Sequence, residues 1–544
     1  MSRPRVLVAD PLAEDGLARL QEAAEVEVRT KLPEADLVAA IAGFDALVVR
    51  SETRVTAAVL AAGRALRVVG RAGVGVDNID VASATGKGIL VVNAPRGNII
   101  AAAEHTIGLL FALARNIPQA DAAVRRGEWQ RSRYTGVEIR GKTLGIVGLG
   151  NIGSEVAKRA LGLEMDVVAY DPAVPRERAE QFNVELVALE ELFRRADFIT
   201  IHAPLVEGTR NLIDARVLAG ARPGARLVNA ARGGIVDEAA LYRALSEGRL
   251  AGAASDVFLR EPVGENPLLT LPNFVATPHI AASTVEAQAS VASDVAEEVL
   301  AVLRGELPRY AVNAPSLPPE EMALLRPYAV LAERLASLHV QLEGGRVSRL
   351  EMEYRGELAE RDVSLVTAAA IRGLFQPFTE ERINPVNARL VARDRGLELA
   401  ERRVPPAAGD RANSLTLRAD GRELEGVLRG GEPRLTRVGA FRMDLVLVGR
   451  FLVSRHEDRP GVIGRIGTIL GENDINIASM QVGRDAPRGH AMMVVSVDEP
   501  VGAVVLDRLG GVSGMSDLRY VELHGDPPPP RPFPVEGEGG LAGG

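Results

Sequence analysis

From the N-terminus, short apolar runs alternate with stretches of helical period. Arg5–Asp10, Val26–Arg29, Asp45–Arg50, Arg67–Val69 and Ile89–Asn93 read as strands. Strands separated by helical stretches imply a parallel sheet with crossover helices. A long helical stretch follows, from Ile100 to Arg115. Thr143 opens a second α/β series with strands at Thr143–Gly148, Asp166–Asp171, Asp197–His202, Ala225–Asn229, Ala251–Val257 and Asn273–Ala276. Ser283-Thr284-Val285-Glu286 has the form of a capping box that opens a helix to about Leu303. Val291, Val295, Val299 and Val302 then share one buried face.

Three prolines punctuate Arg309–Glu320, which reads as a linker. An α+β region continues to about Gly449, with Glu398–Arg403 as a solvated face. Phe451–Leu523 has a βαββαβ pattern, and the Pro- and Gly-rich end from Gly525 is expected to be disordered.

The first chemical signal is Gly148-Leu149-Gly150-Asn151-Ile152-Gly153, a GxGxxG. With 55 glycines in the chain, the motif alone carries little. Its position between an apolar strand and a helix carries more. There the glycines allow a tight turn and let backbone N–H groups approach a pyrophosphate. The next strand ends in Asp171, where a carboxylate accepts from the ribose hydroxyls and repels a 2′-phosphate. The cofactor expected is NAD.

Composition narrows the chemistry. The chain has 544 residues, no cysteine, seven histidines and a net charge of -8. Its length calls for several domains. Disulfides and thiolate catalysis are excluded, and no metal site is expected. With no basic block and no apolar run of about 20 residues, neither nucleic acid nor membrane is an expected partner, and the cytoplasm is the expected compartment.

A metal-free alcohol dehydrogenase needs a base and a cation for the substrate carboxylate. His279, just past a strand end, is the base candidate, and Glu261 can pair with it and orient the ring. Arg232, in Asn229-Ala230-Ala231-Arg232-Gly233-Gly234, can hold a carboxylate bidentately. Taken singly, each could be an ordinary structural or surface residue. Their placement on successive strand ends favours the catalytic reading.

These motifs, in this order, resemble the D-2-hydroxyacid dehydrogenase family, in its long form with an intervening domain and a C-terminal ACT domain. The resemblance covers about residues 3–523. It implies two Rossmann-like, doubly wound α/β domains plus an α+β intervening domain and a ferredoxin-like ACT domain. The substrate-binding domain would comprise 1–97 and 284–315, the NAD-binding domain 98–283, the intervening domain 316–449, the ACT domain 450–524 and the tail 525–544. The implied catalytic residues are Arg232, Glu261 and His279. The cofactor would be bound by Gly148, Gly150, Asn151, Ile152, Gly153, Asp171, Ala203, Ala230, Asp256 and Ala282.

The implied activity is NAD-dependent oxidation of 3-phospho-D-glycerate to 3-phosphooxypyruvate, the first step of L-serine biosynthesis. Arg50, Ser51, Arg71, Gly73 and Asn98 resemble the family's substrate loops. Arg131 and Arg133, beyond Trp129, lie in a stretch that in relatives can reach a neighbouring subunit. His105 and His202 are expected to be structural. His456, Asp458 and Asn476 match positions that bind an effector, expected to be L-serine, and a homo-oligomer, dimer or tetramer, is expected. Two other readings stand beside this one: a reductase of glyoxylate, hydroxypyruvate or another 2-oxo acid, and an NADH-sensing transcriptional co-repressor.

Overall fold

The computed structural model describes residues 3–306, 308–314, 317–344, 347–379, 382–406 and 413–523. The expected disordered tail lies outside them. The described residues fall into two compact units: those within Met1–Arg54, Val68–Ile79 and Val92–Tyr310 form one, and those within Val55–Arg67, Asp80–Val91 and Ala311–Gly544 the other.

The first sheet has strands β1 (Arg5–Val8), β2 (Glu25–Val28), β3 (Ala46–Val49), β4 (Val68–Arg71) and β5 (Leu90–Asn93), in the order β2-β1-β3-β4-β5. Val6–Val8 and Ala46–Val49 are apolar throughout and buried. Continuous apolar runs of this kind suit parallel strands covered on both faces. The helix Val285–Leu303 supplies one cover through Val291, Val295, Val299 and Val302. Its cap is Thr284, whose side chain accepts from Ala287 N–H at 3.1 Å. The expected capping box is therefore displaced by one residue, and Glu286 falls too early in the helix to close it.

The second sheet has β6 (Thr143–Val147), β7 (Asp166–Tyr170), β8 (Glu185–Leu186), β9 (Phe198–Ile201), β10 (Ala225–Asn229), β11 (Leu250–Ser255) and β12 (Phe274–Ala276). Their order is β12-β11-β10-β9-β6-β7-β8, all parallel. The order reverses between β6 and β9, which opens a crevice at the strand ends where such folds bind ligands. β8, only two residues long, had no readable sequence signal.

In the other unit, β13 (Arg349–Arg355), β14 (Glu398–Val404), β15 (Ser414–Ala419), β16 (Arg422–Arg429), β17 (Glu432–Val438) and β18 (Phe441–Val446) form one sheet. Glu398–Arg403 lies on the edge strand β14, where Glu398, Glu401, Arg402 and Arg403 are exposed as expected, and Glu401 accepts from Thr367 Oγ1 at 2.7 Å. Within the expected linker, Val312 N–H bonds Val91 O at 2.7 Å, and a helix that runs from Pro319 to Glu343 begins before its end.

The last sheet has β19 (Gly449–Glu457), β20 (Ile477–Arg484), β21 (His490–Val497) and β22 (Met515–Leu523) in the antiparallel order β20-β21-β19-β22. Helices Val462–Glu472 and Ala503–Gly510 bury Ile466, Leu470, Val505 and Leu509 against it.

Candidate active site and cofactor crevice

The cofactor loop follows β6. Gly148 has φ +97°, and a Cβ there would come 2.8 Å from the His202 carbonyl carbon, so only glycine fits. Space beside Gly150 is open. The helix Asn151–Gly162 begins here with no side chain capping its first turn, which leaves its N–H groups for an anion. Asp171 Oδ2 accepts from Leu149 N–H at 2.8 Å, and Oδ1 accepts from Ala173 N–H at 2.9 Å. The carboxylate is thereby held at the end of β7, with lone pairs left for ribose hydroxyls. This arrangement fits an NAD adenosine and pyrophosphate. Ala203 and Ala230 lie just past β9 and β10, on the same edge of the sheet. His202 is half-buried and its pKa is pushed down to about 3 by desolvation, so it stays neutral. Its Nε2 lies 2.9 Å from Thr200 Oγ1.

Two of the three catalytic candidates line a cavity of about 750 Å³ in the same unit, and Arg232 is not part of its lining. His279 and Glu261 line it, as do Arg50, Ser51, Arg71, Gly73, Asn98, Asp256 and Ala282. His279 Nδ1 lies 2.7 Å from Glu261 Oε2. Burial works against the ionised Glu261. The His279 bond and the Phe258 N–H at 3.0 Å outweigh it and hold the carboxyl below its ordinary range. An ionised carboxylate only accepts, so Nδ1 carries the proton and Nε2 is left free to act as a base. Glu238 steadies the loop that bears Glu261 by accepting from Leu259 N–H at 2.6 Å and Asn266 Nδ2 at 2.8 Å.

His279 itself has φ +55°. Asp256 holds this turn. Its carboxylate is fully buried and accepts from Thr277 Oγ1 at 2.6 Å, Ile280 N–H at 2.9 Å and Ala281 N–H at 2.9 Å. His105 completes the cluster, 3.2 Å from Thr277 Oγ1. Burial disfavours the charged Asp256, but His105, Thr277 and the two N–H groups together keep it below the usual carboxylate range.

Arg232 follows β10. Gly233 beside it admits the chain at 258–259: a Cβ would stand 1.9 Å from Phe258 O. The guanidinium donates through Nε to Asp77 at 3.2 Å and through Nη1 to Ala231 O at 2.7 Å. It lies against the Gly73–Asp77 loop, where a Cβ on Gly75 would meet its Nη2 at 2.1 Å. Arg71 is close by. Desolvation, then Arg232 and Arg50, lower its pKa to about 10, and its Nε is buried without a hydrogen-bond partner. Asn98 Oδ1 is also buried and unpartnered. A cluster of cations with unspent donors calls for an anion. Sequence reasoning missed Asp77 as a partner of Arg232 and Thr277 as a partner of Asp256. Each touches its partner only through the fold, 155 and 21 residues away in sequence.

Arg131 and Arg133 lie in an exposed turn at Arg131–Tyr134 and do not line this cavity. Arg131 sits over the exposed Trp129 ring.

The effector candidates are not brought together within one chain. His456 is buried at one end of β19, with Nδ1 unpartnered. Asp458, just beyond, accepts from Arg484 at 3.2 Å and Arg488 N–H at 3.0 Å. Asn476 precedes the other end of β20, donating to Asp498 at 2.6 Å. The eight-residue strand β20 separates the two groups by about 26 Å.

Fold and crevice together define an NAD-dependent dehydrogenase acting on 2-hydroxy acids. The chain matches the D-isomer specific 2-hydroxyacid dehydrogenase NAD binding domain over residues 107–281, the D-3-phosphoglycerate dehydrogenase intervening domain over 324–438 and the ACT domain over 450–514. The D-3-phosphoglycerate dehydrogenase of Methanocaldococcus jannaschii is 45% identical over 522 residues, covering 95% of this chain and 100% of the relative. Among solved structures, a Thermus thermophilus protein aligns with TM-score 0.53 and 37% identity, over 57% of this chain and 99% of its own. The D-lactate dehydrogenase of Aquifex aeolicus, solved with NAD and lactic acid, aligns with TM-score 0.51 and 28% identity, over 57% of this chain and 100% of its own. The chain belongs to the D-3-phosphoglycerate dehydrogenases of the D-2-hydroxyacid dehydrogenase family.

Proposed function

We propose that this chain oxidises the 2-hydroxyl of 3-phospho-D-glycerate with His279 as the base, and that L-serine inhibits it through the ACT domain. The observation that carries the catalytic reading is the His279–Glu261 pair on the wall of a cavity that Arg50 and Arg71 also line. NAD supplies the hydride acceptor. Arg232 holds the substrate carboxylate and polarises C2. His279 Nε2 takes the hydroxyl proton, and Glu261 stabilises the imidazolium that results. Arg50, Arg71, Ser51 and Asn98 receive the phosphate. Asp256 fixes the turn that presents His279, and Ala282 lies beside it.

The regulatory reading rests on the ACT match and on His456, Asp458 and Asn476. Their separation means that one serine cannot touch all three within one copy. We therefore assign the effector site to an oligomer, in which His456 and Asp458 of one copy face Asn476 of another. The enzyme would act in the cytoplasm, and no helix among the described residues is long and apolar enough to cross a membrane.

The test is NADH formation from 3-phosphoglycerate, with Arg50→Ala and Arg71→Ala beside the unaltered protein. The KM for 3-phosphoglycerate is expected to rise about tenfold or more, the worth of a charge-assisted hydrogen bond, and by less for an unphosphorylated 2-hydroxy acid. Equal rises for both substrates would remove the phosphate from this corner of the cavity. Failure of the unaltered enzyme to turn over 3-phosphoglycerate would remove the substrate altogether.

A further inference from the structure

The segment Arg50-Ser51-Glu52-Thr53 leaves the end of β3, and Arg50, Ser51 and Glu52 line the cavity. It contains neither proline nor glycine to fix its course. Two side chains from elsewhere in the chain hold it instead. Asp10, two residues beyond β1, accepts through Oδ2 from Arg50 N–H at 2.6 Å and Thr53 N–H at 3.2 Å, and through Oδ1 from Thr53 Oγ1 at 2.6 Å. Asn78 Nδ2 donates to the Arg50 carbonyl at 2.7 Å and to the Thr53 carbonyl at 2.6 Å.

The N–H side of the segment is therefore tied to a carboxylate and its carbonyl side to an amide. Asp10 is 1% exposed. A carboxylate that deeply buried is tolerated only when hydrogen-bonded or paired, and all three donors come from this one segment. The location also matters. β1 and β3 are neighbours where the order β2-β1-β3-β4-β5 reverses, and a doubly wound sheet binds its ligand at the strand ends there. Asp10 adds negative charge near a cluster of cations, since it and Asp77 oppose the lowering of the Arg71 pKa by burial, Arg232 and Arg50.

We propose that Asp10 and Asn78 are positioning residues for the substrate phosphate. They clamp the Arg50–Thr53 segment from both sides of its backbone and so set where Arg50 and Ser51 meet the anion. This rests on the reading of the cavity as the substrate site.

The full-length enzyme carries the test, with KM and kcat measured for 3-phosphoglycerate and for D-glycerate, the same acid without the phosphate. Asn78→Ala loses both carbonyl tethers. It is expected to raise the KM for 3-phosphoglycerate about tenfold, the value of two ordinary hydrogen bonds, with kcat within about twofold and the KM for D-glycerate little changed. Asp10→Ala should behave alike. Asp10→Asn is the conservative control. Its carbonyl oxygen keeps both backbone bonds and its amide faces Thr53 Oγ1, which can accept, so its KM should stay within about threefold of the unaltered enzyme.

Equal KM changes for the two substrates, or a loss of kcat at unchanged KM, would overturn the assignment. So would an Asp10→Asn variant as impaired as Asp10→Ala. Should Asp10→Ala fail to fold, Asn78→Ala and Asp10→Asn still decide. Arg50→Ala, run in parallel, separates the two levels. If Arg50→Ala does not discriminate between the substrates, the cavity reading itself fails. If it does and Asn78→Ala does not, only the positioning role is lost.

Discussion

The cavity at the sheet ends and the ACT domain handle their key residues in opposite ways. Around the cavity, residues distant in the chain converge: Arg50, Arg71, Glu261 and His279 line it, and Arg232 lies against the adjoining Gly73–Asp77 loop. In the ACT domain, residues only about twenty apart in sequence, His456 and Asn476, stand at opposite ends of a sheet. Chemistry needs its groups fixed before substrate arrives, because orientation set in advance lowers the barrier. Regulation has the reverse need. A site completed only when two bodies meet gains its binding energy in one arrangement and not in another, which is the requirement for coupling.

The largest effect is expected at the cavity. His279→Asn should lower kcat about a hundred- to ten-thousandfold, the usual contribution of general acid–base catalysis, while NADH still binds in a fluorescence titration. Turnover near that of the parent would show that the convergence at the cavity is not the catalytic one.

Asn476→Ala tests the other side of the comparison. Calorimetry and steady-state inhibition by L-serine should show the half-inhibiting concentration raised about tenfold or more, with kcat intact. Full inhibition of this variant would place the effector elsewhere, and no serine binding to the unaltered chain would give the ACT domain another ligand.

Asp171→Ser should move the NAD-over-NADP preference about tenfold toward NADP, since it removes an ionised acceptor and its repulsion of the 2′-phosphate. An unmoved preference ratio would mean the fingerprint is misread.

The smallest effect concerns pH. Glu261 is held below its ordinary value of 4.5, so the stability it contributes is present above that pH and is lost as pH falls through the folded-state value. Glu261→Gln should melt about 2 °C below the parent at pH 7, a modest gap because the pair is partly exposed. The gap should close as the pH falls through the lowered folded-state value. A gap that persists in acid would assign the effect to packing.

Much of this was legible from spacing. The parallel strands were readable because buried strands such as Val6–Val8 and Phe198–Ile201 are short, apolar and bounded by polar residues. Their ends located Gly148, Asp171, Arg232 and His279 in turn. Long-range partners were not legible. Asp77 reaches Arg232 across 155 residues of sequence, and nothing local marks that pairing. Asp10 looked like the polar end of a strand, because the three donors it accepts from lie some forty residues away. The ACT motif gave the identities of His456 and Asn476, but the direction in which β19 and β20 run was needed to show them apart.

The left-handed backbone at His279 has a consequence for how this chain can evolve. A side chain at φ +55° costs on the order of 1 kcal/mol or more relative to glycine, which adopts that conformation freely. On the proposed catalytic reading, glycine at 279 would relieve that strain but lose both the base and the bond to Glu261, so a strained residue is what the site requires.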